Sequence, residues 1–341
     1  QISDGGLDPD DLGPLVKGPD PNPLTKAPGQ LPPYAIDASI FDAKSGLRLA
    51  DDNDGRPIIA WRGRSPYGAS RVYVAKCFGS APGDIGEWAS LASLWEGFGA
   101  SCGPDGAMGM TNEVSSIDLR TDKDGNPVLL WSDTYGRRIN LRRWKGTGWV
   151  SADGSATSSA CVVTNEYPWY AGYAALSLIS NERPVVAYLR NNTNLHLKLW
   201  TGSRWAGMDS TSAYSVVAVD DTPLYPGFHW VSVDVGTDDC PVVSYVLNQA
   251  VTNVCVRKWA GTDDWPLFPS MGDSNGVYHP AMLMDTSGAP HIAWMHDTWT
   301  RGLHVREYHA SNNQWTGYGG SAREPGLITS QACLVLSAPC L

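Results

Sequence analysis

The sequence predicts an all-β fold, a β-propeller of four-stranded antiparallel blades, and three observations carry the prediction. One proline-led segment recurs five times. Gly and Pro supply 36 and 24 of the 341 residues, which favours turns and short strands over long helices. Trp outnumbers Phe by 15 to 5, an inversion that asks for a repeated packing role.

The recurring segments are Asp54–Trp61, Asp124–Trp131, Asn181–Tyr188, Asp238–Tyr245 and Ser287–Trp294, each with an aromatic four residues after its proline. The prolines Pro57, Pro127, Pro184, Pro241 and Pro290 stand 70, 57, 57 and 49 residues apart, a period that marks a repeat architecture. An alternating stretch precedes the segment, as in Val114–Leu119 or Val231–Asp234, and predicts the first strand of each unit. An Asp/Gly turn follows, and the proline opens the second strand, one of the few strand positions that tolerates a missing N–H. Downstream, each unit carries a further aromatic pair around a tight turn: Phe78 and Trp88, Trp144 and Trp149, Trp200 and Trp205, Trp259 and Trp265, Tyr308 and Trp315. One such meander cannot bury both of its apolar faces, whereas several stacked radially can. Eleven of the fifteen tryptophans fall at repeat positions and are assigned to packing between blades.

The repeats give five blades, with six as the alternative count. Tyr34–Phe41 and Ala332–Ser337 are left over at the two ends; they close the ring together or build a degenerate sixth blade. Residues 1–33 hold eight prolines and read as an extended arm, leaving 34–341 as one propeller domain with closing strands at both ends.

The pattern Asp-x-x-Gly-x-Pro-x-x-x-Trp, followed by Trp-x-Gly-x-x-Trp, resembles the repeats of secreted bacterial propeller proteins, the bacterial-neuraminidase-repeat-like group and the propeller lectins. The resemblance spans roughly residues 45–320 and implies a fold. No segment reads Ser-x-Asp-x-Gly-x-Thr-Trp, the sialidase Asp-box, so it does not imply sialidase activity.

Composition narrows the partners. A formal charge of −10 opposes binding to nucleic acid or an anionic membrane surface, and no apolar run has the length of a membrane span. The start at Gln1 reads as a mature form without its targeting segment, or as a fragment. Seven cysteines without a CxxC pair fit secretion with a few disulfides better than a zinc or thioredoxin site, and the odd count leaves one thiol for self-association, Cys340 being well placed.

If the first strand of each unit is innermost, the loops entering it and the loops between second and third strands share one face. On that face lie Trp169, Tyr170, Tyr225, Trp230, Tyr278 and Trp299, beside Asp297, Arg138 and Arg190. Aromatic faces next to planar hydrogen-bonding groups suit sugars, whose C–H faces stack while their hydroxyls need partners. His229, His279 and His296 map to the same side of adjacent blades, where three imidazoles could hold zinc or copper. Glu113 and Asp133 are the best-placed carboxylates for glycoside hydrolysis. The acidic turns, among them Asp52, Asp122 and Asp285, are candidates for calcium but more simply for turn formation. No nucleophile-elbow or phosphate-loop motif occurs. The leading expectation is a secreted, non-catalytic propeller that binds carbohydrate or another cell-surface ligand. The alternatives are an enzyme, acting on polysaccharide or through a divalent metal, and a component of an extracellular assembly joined through the arm or a free Cys.

Overall fold

The computed structural model describes residues 47–64, 70–77, 88–90, 114–133, 138–146, 148–155, 161–164, 174–190, 194–219, 230–248, 252–261, 264–271, 277–296, 302–317 and 326–329. Among these, the strands pair antiparallel into five sheets in chain order. The first holds β1 (Leu47–Asp51), β2 (Pro57–Arg64), β3 (Ser70–Cys77) and β4 (Trp88–Ser90). The second holds β5 (Val114–Thr121), β6 (Pro127–Asp133), β7 (Arg138–Trp144), β8 (Trp149–Val150) and β9 (Cys161–Thr164). The third holds β10 (Ala174–Leu178), β11 (Pro184–Arg190), β12 (Asn194–Trp200), β13 (Trp205–Ala206) and β14 (Ser215–Val219). The fourth holds β15 (Val231–Val235), β16 (Pro241–Asn248) and β17 (Thr252–Lys258). The fifth holds β18 (Val277–Met284), β19 (Pro290–His296), β20 (Gly302–His309), β21 (Gln314–Gly317) and β22 (Gly326–Thr329).

Each repeat proline opens a second strand, opposite the last residue of the first: Asp51, Thr121, Leu178, Val235 and Met284. The fourth strand departs from the expected plain meander. In the second, third and fifth sheets it is split in two, β8 pairing with the end of β7 and β9 with its start, and likewise β13 and β14 on β12 and β21 and β22 on β20. In the fourth sheet a single bridge, Arg257 to Leu267, takes its place.

The five turns between first and second strands share one hydrogen-bond pattern. The opening residue, Asp52, Asp122, Ile179, Gly236 or Asp285, receives a bond from the amide three residues on and gives its own amide to the carbonyl four residues on. That geometry puts the fourth residue in the left-handed region: Gly55, Gly125 and Gly288, but also Glu182 at 68° and Asp239 at 58°. These two side chains reach the preceding turn. Glu182 accepts from the Lys123 amide at 3.0 Å, and Asp239 accepts from the Ser180 amide at 2.7 Å and hydroxyl at 2.6 Å.

Apolar cores lie between consecutive sheets rather than inside one layer. Ile58, Ala60, Val72 and Val74 of the first sheet meet Leu119, Leu129 and Trp131 of the second, and the pattern continues to the fifth sheet. The repeat aromatics Trp131, Tyr188, Tyr245 and Trp294 all pack toward the sheet before their own. The downstream aromatics meet in pairs at 5.6 Å (Trp144 and Trp149), 5.4 Å (Trp200 and Trp205), 5.2 Å (Trp259 and Trp265) and 5.3 Å (Tyr308 and Trp315). Such tilted and edge-on pairs place a positive ring edge toward a negative ring face.

The first strands neighbour one another in series, β1 beside β5, then β10, β15 and β18, which makes them the inner strands of a propeller-like arrangement. Two carboxylates, the buried Asp118 and the half-buried Asp234, stitch them. Asp118 accepts from the Leu176 amide at 2.7 Å and pairs with Arg48 at 3.4 Å. Asp234 accepts from the Ser177 hydroxyl at 2.8 Å and the Met284 amide at 2.7 Å. A charge in an inner strand is tolerable only when its oxygens are spent in this way.

The expected disulfides find no example among the described side chains, where Cys240 and Cys255 are thiols. Cys77 and Cys161 are described as backbone only, within β3 and β9, and Cys102, Cys333, Cys340, the arm 1–33 and the two leftover segments lie outside the described residues. No described helix is long and apolar enough to cross a membrane.

Candidate ligand-binding face

The register places the ends of the second strands and the starts of the first and third strands at one end of the sheets, opposite the Asp/Gly turns. Of the residues singled out from the sequence, Trp230, His279, Arg138 and Arg190 are described there with their side chains. Asp133, Tyr278 and His296 are described there as backbone only, within β6, β18 and β19. Glu113, Trp169, Tyr170, Tyr225, His229, Asp297 and Trp299 lie outside the described residues.

Two of the candidates come together. The rings of Trp230 and His279 are 4.1 Å apart and tilted by 50°, joining the entrance of β15 to that of β18. His279 has φ 51° at a register slip between Tyr278 and Ala281. A non-glycine residue in that region is held there by its surroundings at some cost, a signature that clusters at binding sites. Burial pushes the His279 imidazole down to about 4, and the nearby Arg48 charge acts in the same direction, so the ring is neutral at pH 7. Trp230 and His279 therefore form an uncharged, half-buried aromatic corner at the mouth of the inner strands.

The other described candidates stand apart. Arg138 is directly opposite Asp133 in the ladder. Arg190 donates to the Tyr214 hydroxyl at 3.2 Å, with its guanidinium carbon 5.7 Å from the centre of that ring. Tyr214 stacks at 4.1 Å on His196, which in turn meets Tyr188 edge-on at 5.6 Å. Burial, with the charges of Arg190 and Lys198, pushes His196 down to about 4. Sequence reasoning missed Arg48, His196 and Tyr214. Arg48 and Asp118 carried a signal, as opposite charges at matching places in neighbouring inner strands.

Among the described residues no group of three or more His, Cys, Asp or Glu side chains is arranged to hold a metal ion. The acidic turns do what their simpler reading expects. Asp52, Asp122 and Asp285 each accept two amides of their own turn, and each also faces a basic side chain: Lys76 at 2.7 Å, Arg143 at 3.6 Å and His291 at 3.3 Å. The second to fifth of the turns between first and second strands line a shallow basin of about 490 Å³ at the end away from Trp230, with Leu178, Val235 and Met284 in its lining. Among the described residues no aromatic ring lines it, which makes that lining a poor platform for a sugar face.

No family model matches the sequence, and no curated protein matches it. Solved structures do share the fold. A protein of unknown function from Dyadobacter fermentans superposes with a TM-score of 0.51 at 14% identity, covering 80% of this chain and 81% of that one. A polysaccharide lyase, the PL25 ulvan lyase bound to -[GlcA(1-4)Rha3S]-, superposes with a TM-score of 0.50 at 10% identity, covering 81% of this chain and 69% of that one. With the serial inner strands and inter-sheet cores, these likenesses define the class of the chain as an all-β, propeller-like protein.

Proposed function

We propose that the protein is a secreted, five-bladed propeller that binds carbohydrate without transforming it, at the face opposite the Asp/Gly turns. The observation that carries this reading is the Trp230–His279 corner, a neutral aromatic surface held at a strained backbone position. Sugar C–H faces stack on such surfaces, while Arg138 and Arg190 on the same face supply planar donors for hydroxyl or acidic groups. The polysaccharide lyase that shares the fold adds support from outside the sequence. A glycan array with the full chain tests the reading: bound glycans are expected, and Trp230→Ala should weaken them about tenfold or more at a temperature where the variant is still folded, since the ring also packs on the core between the fourth and fifth sheets. An array blank for neutral and acidic glycans alike overturns it.

A second reading, an enzyme acting on acidic polysaccharide, is favoured by the same neutral imidazole lying near Arg48. It ranks lower because an imidazole with a pKa of about 4 is a weak base, whereas general bases work best near the operating pH. Release of unsaturated uronate, followed by its ultraviolet absorbance, would reverse the order.

A further inference from the structure

The five sheets are alike at their inter-sheet faces except where the fifth would meet the first. The residue of the first strand that pairs two places beyond the proline is Leu119, Leu176, Val233 and Met282 in sheets two to five, and none is more than 3% exposed. Its counterpart in the first sheet, Leu49, is 46% exposed, with Leu47 at 36% beside it on the same face. The opposite wall is equally atypical. Ile58, Val128, Val185 and Val242 follow the proline and are fully buried against the next sheet. In the fifth sheet this position is His291, half-buried and facing Asp285 at 3.3 Å and Glu307 at 4.0 Å. Among the described residues no strand pair joins the two sheets. The seam therefore has exposed leucines on one wall and, on the other, a polar end at His291 and Glu307 beside the buried Ala293 and Val305.

We infer that the chain's own segment Tyr34–Phe41 docks into this seam as an added strand. Alternate residues Tyr34, Ile36, Ala38 and Ile40 would face the exposed leucines, and Ala35, Asp37, Ser39 and Phe41 the mixed wall of His291, Ala293 and Val305, as the period-two alternation of a strand allows. Reach favours the same occupant. Only residues 42–46 separate Phe41 from Leu47, and six peptide units span at most about 20 Å, so the segment cannot leave the vicinity of β1. The docked strand would fill the place where a sixth blade would begin.

Amide hydrogen exchange of the full-length protein, read by mass spectrometry, tests the inference. Residues 34–41 are expected to exchange on the order of a hundredfold more slowly than residues 1–33. Leu49→Asp, and separately Ile36→Asp with Ile40→Asp, should each restore fast exchange in 34–41 while β6 and β7 stay protected. Exchange of 34–41 as fast as the arm overturns the inference. So does protection that survives both variants, or that rises with protein concentration, which would assign the seam to a second copy.

Discussion

Asp239 offers a test in which glycine should beat alanine. It lies at φ 58° in the fourth turn, where three of its four counterparts are glycine, and its carboxylate holds the amide and hydroxyl of Ser180 in the neighbouring turn. Asp239→Ala and Asp239→Gly both delete those two bonds, each contributing about 1 kcal/mol at such an exposed site. They differ in the backbone. Alanine keeps a Cβ in the left-handed region at about 1–2 kcal/mol, and glycine removes that strain but loosens the unfolded chain by about 0.4–1 kcal/mol. The expected order of stability is wild type, then Gly, then Ala, with the two variants separated by about 0.5–1 kcal/mol. Urea unfolding followed by tryptophan fluorescence resolves such a gap. Adding Ser180→Ala to Asp239→Gly should change little, because the partner is already lost. An alanine variant as stable as the glycine variant would refute the claim that this turn stores strain to hold its neighbour.

Other expectations follow from the same geometry. Trp131→Ala, at a site 2% exposed between the first two sheets, should lose about 3–5 kcal/mol by urea unfolding, whereas Leu267→Ala, 54% exposed, should stay within about 0.5 kcal/mol. His196 and His279 are held near 4 when folded and titrate near 6.5 when unfolded, so the unfolded chain binds more protons between those values. The stability these two histidines contribute should therefore fall as pH drops from 6.5 to 4 and change no further below. His196→Asn, copying Asn140 of the second sheet, should flatten part of that slope in unfolding midpoints taken at pH 7 and pH 5. Asp285 is held down to about 2 by its Ser287 and Ala289 bonds, so its contribution is present above pH 4 and disappears as pH falls toward 2. Asp285→Asn should weaken the acid response in that lower window alone.

The repeat was legible because it is written in backbone constraints. Proline has one tolerable place in an antiparallel pair, and the aromatic four residues later alternates onto the face that meets the preceding sheet. Even Glu182 and Asp239 could be aligned to glycines by their distance from proline, although nothing local announces that their side chains reach into the next turn. The split outer strand was not legible, since pieces as short as Trp149–Val150 carry no period. The candidate face was legible only as composition. Which of its side chains meet depends on loop paths, and the Trp230–His279 contact joins residues 49 positions apart with no motif between them.

Arg120 reaches from β5 to the carbonyl of Val233 on β15, at 3.3 Å, passing over the sheet that lies between its own and its partner's. A guanidinium laid as a chord near the turn end ties the first strand of the second sheet to that of the fourth. The two sheets it joins are therefore coupled directly as well as through the sheet between them, and a strain at one inner strand is felt two sheets away.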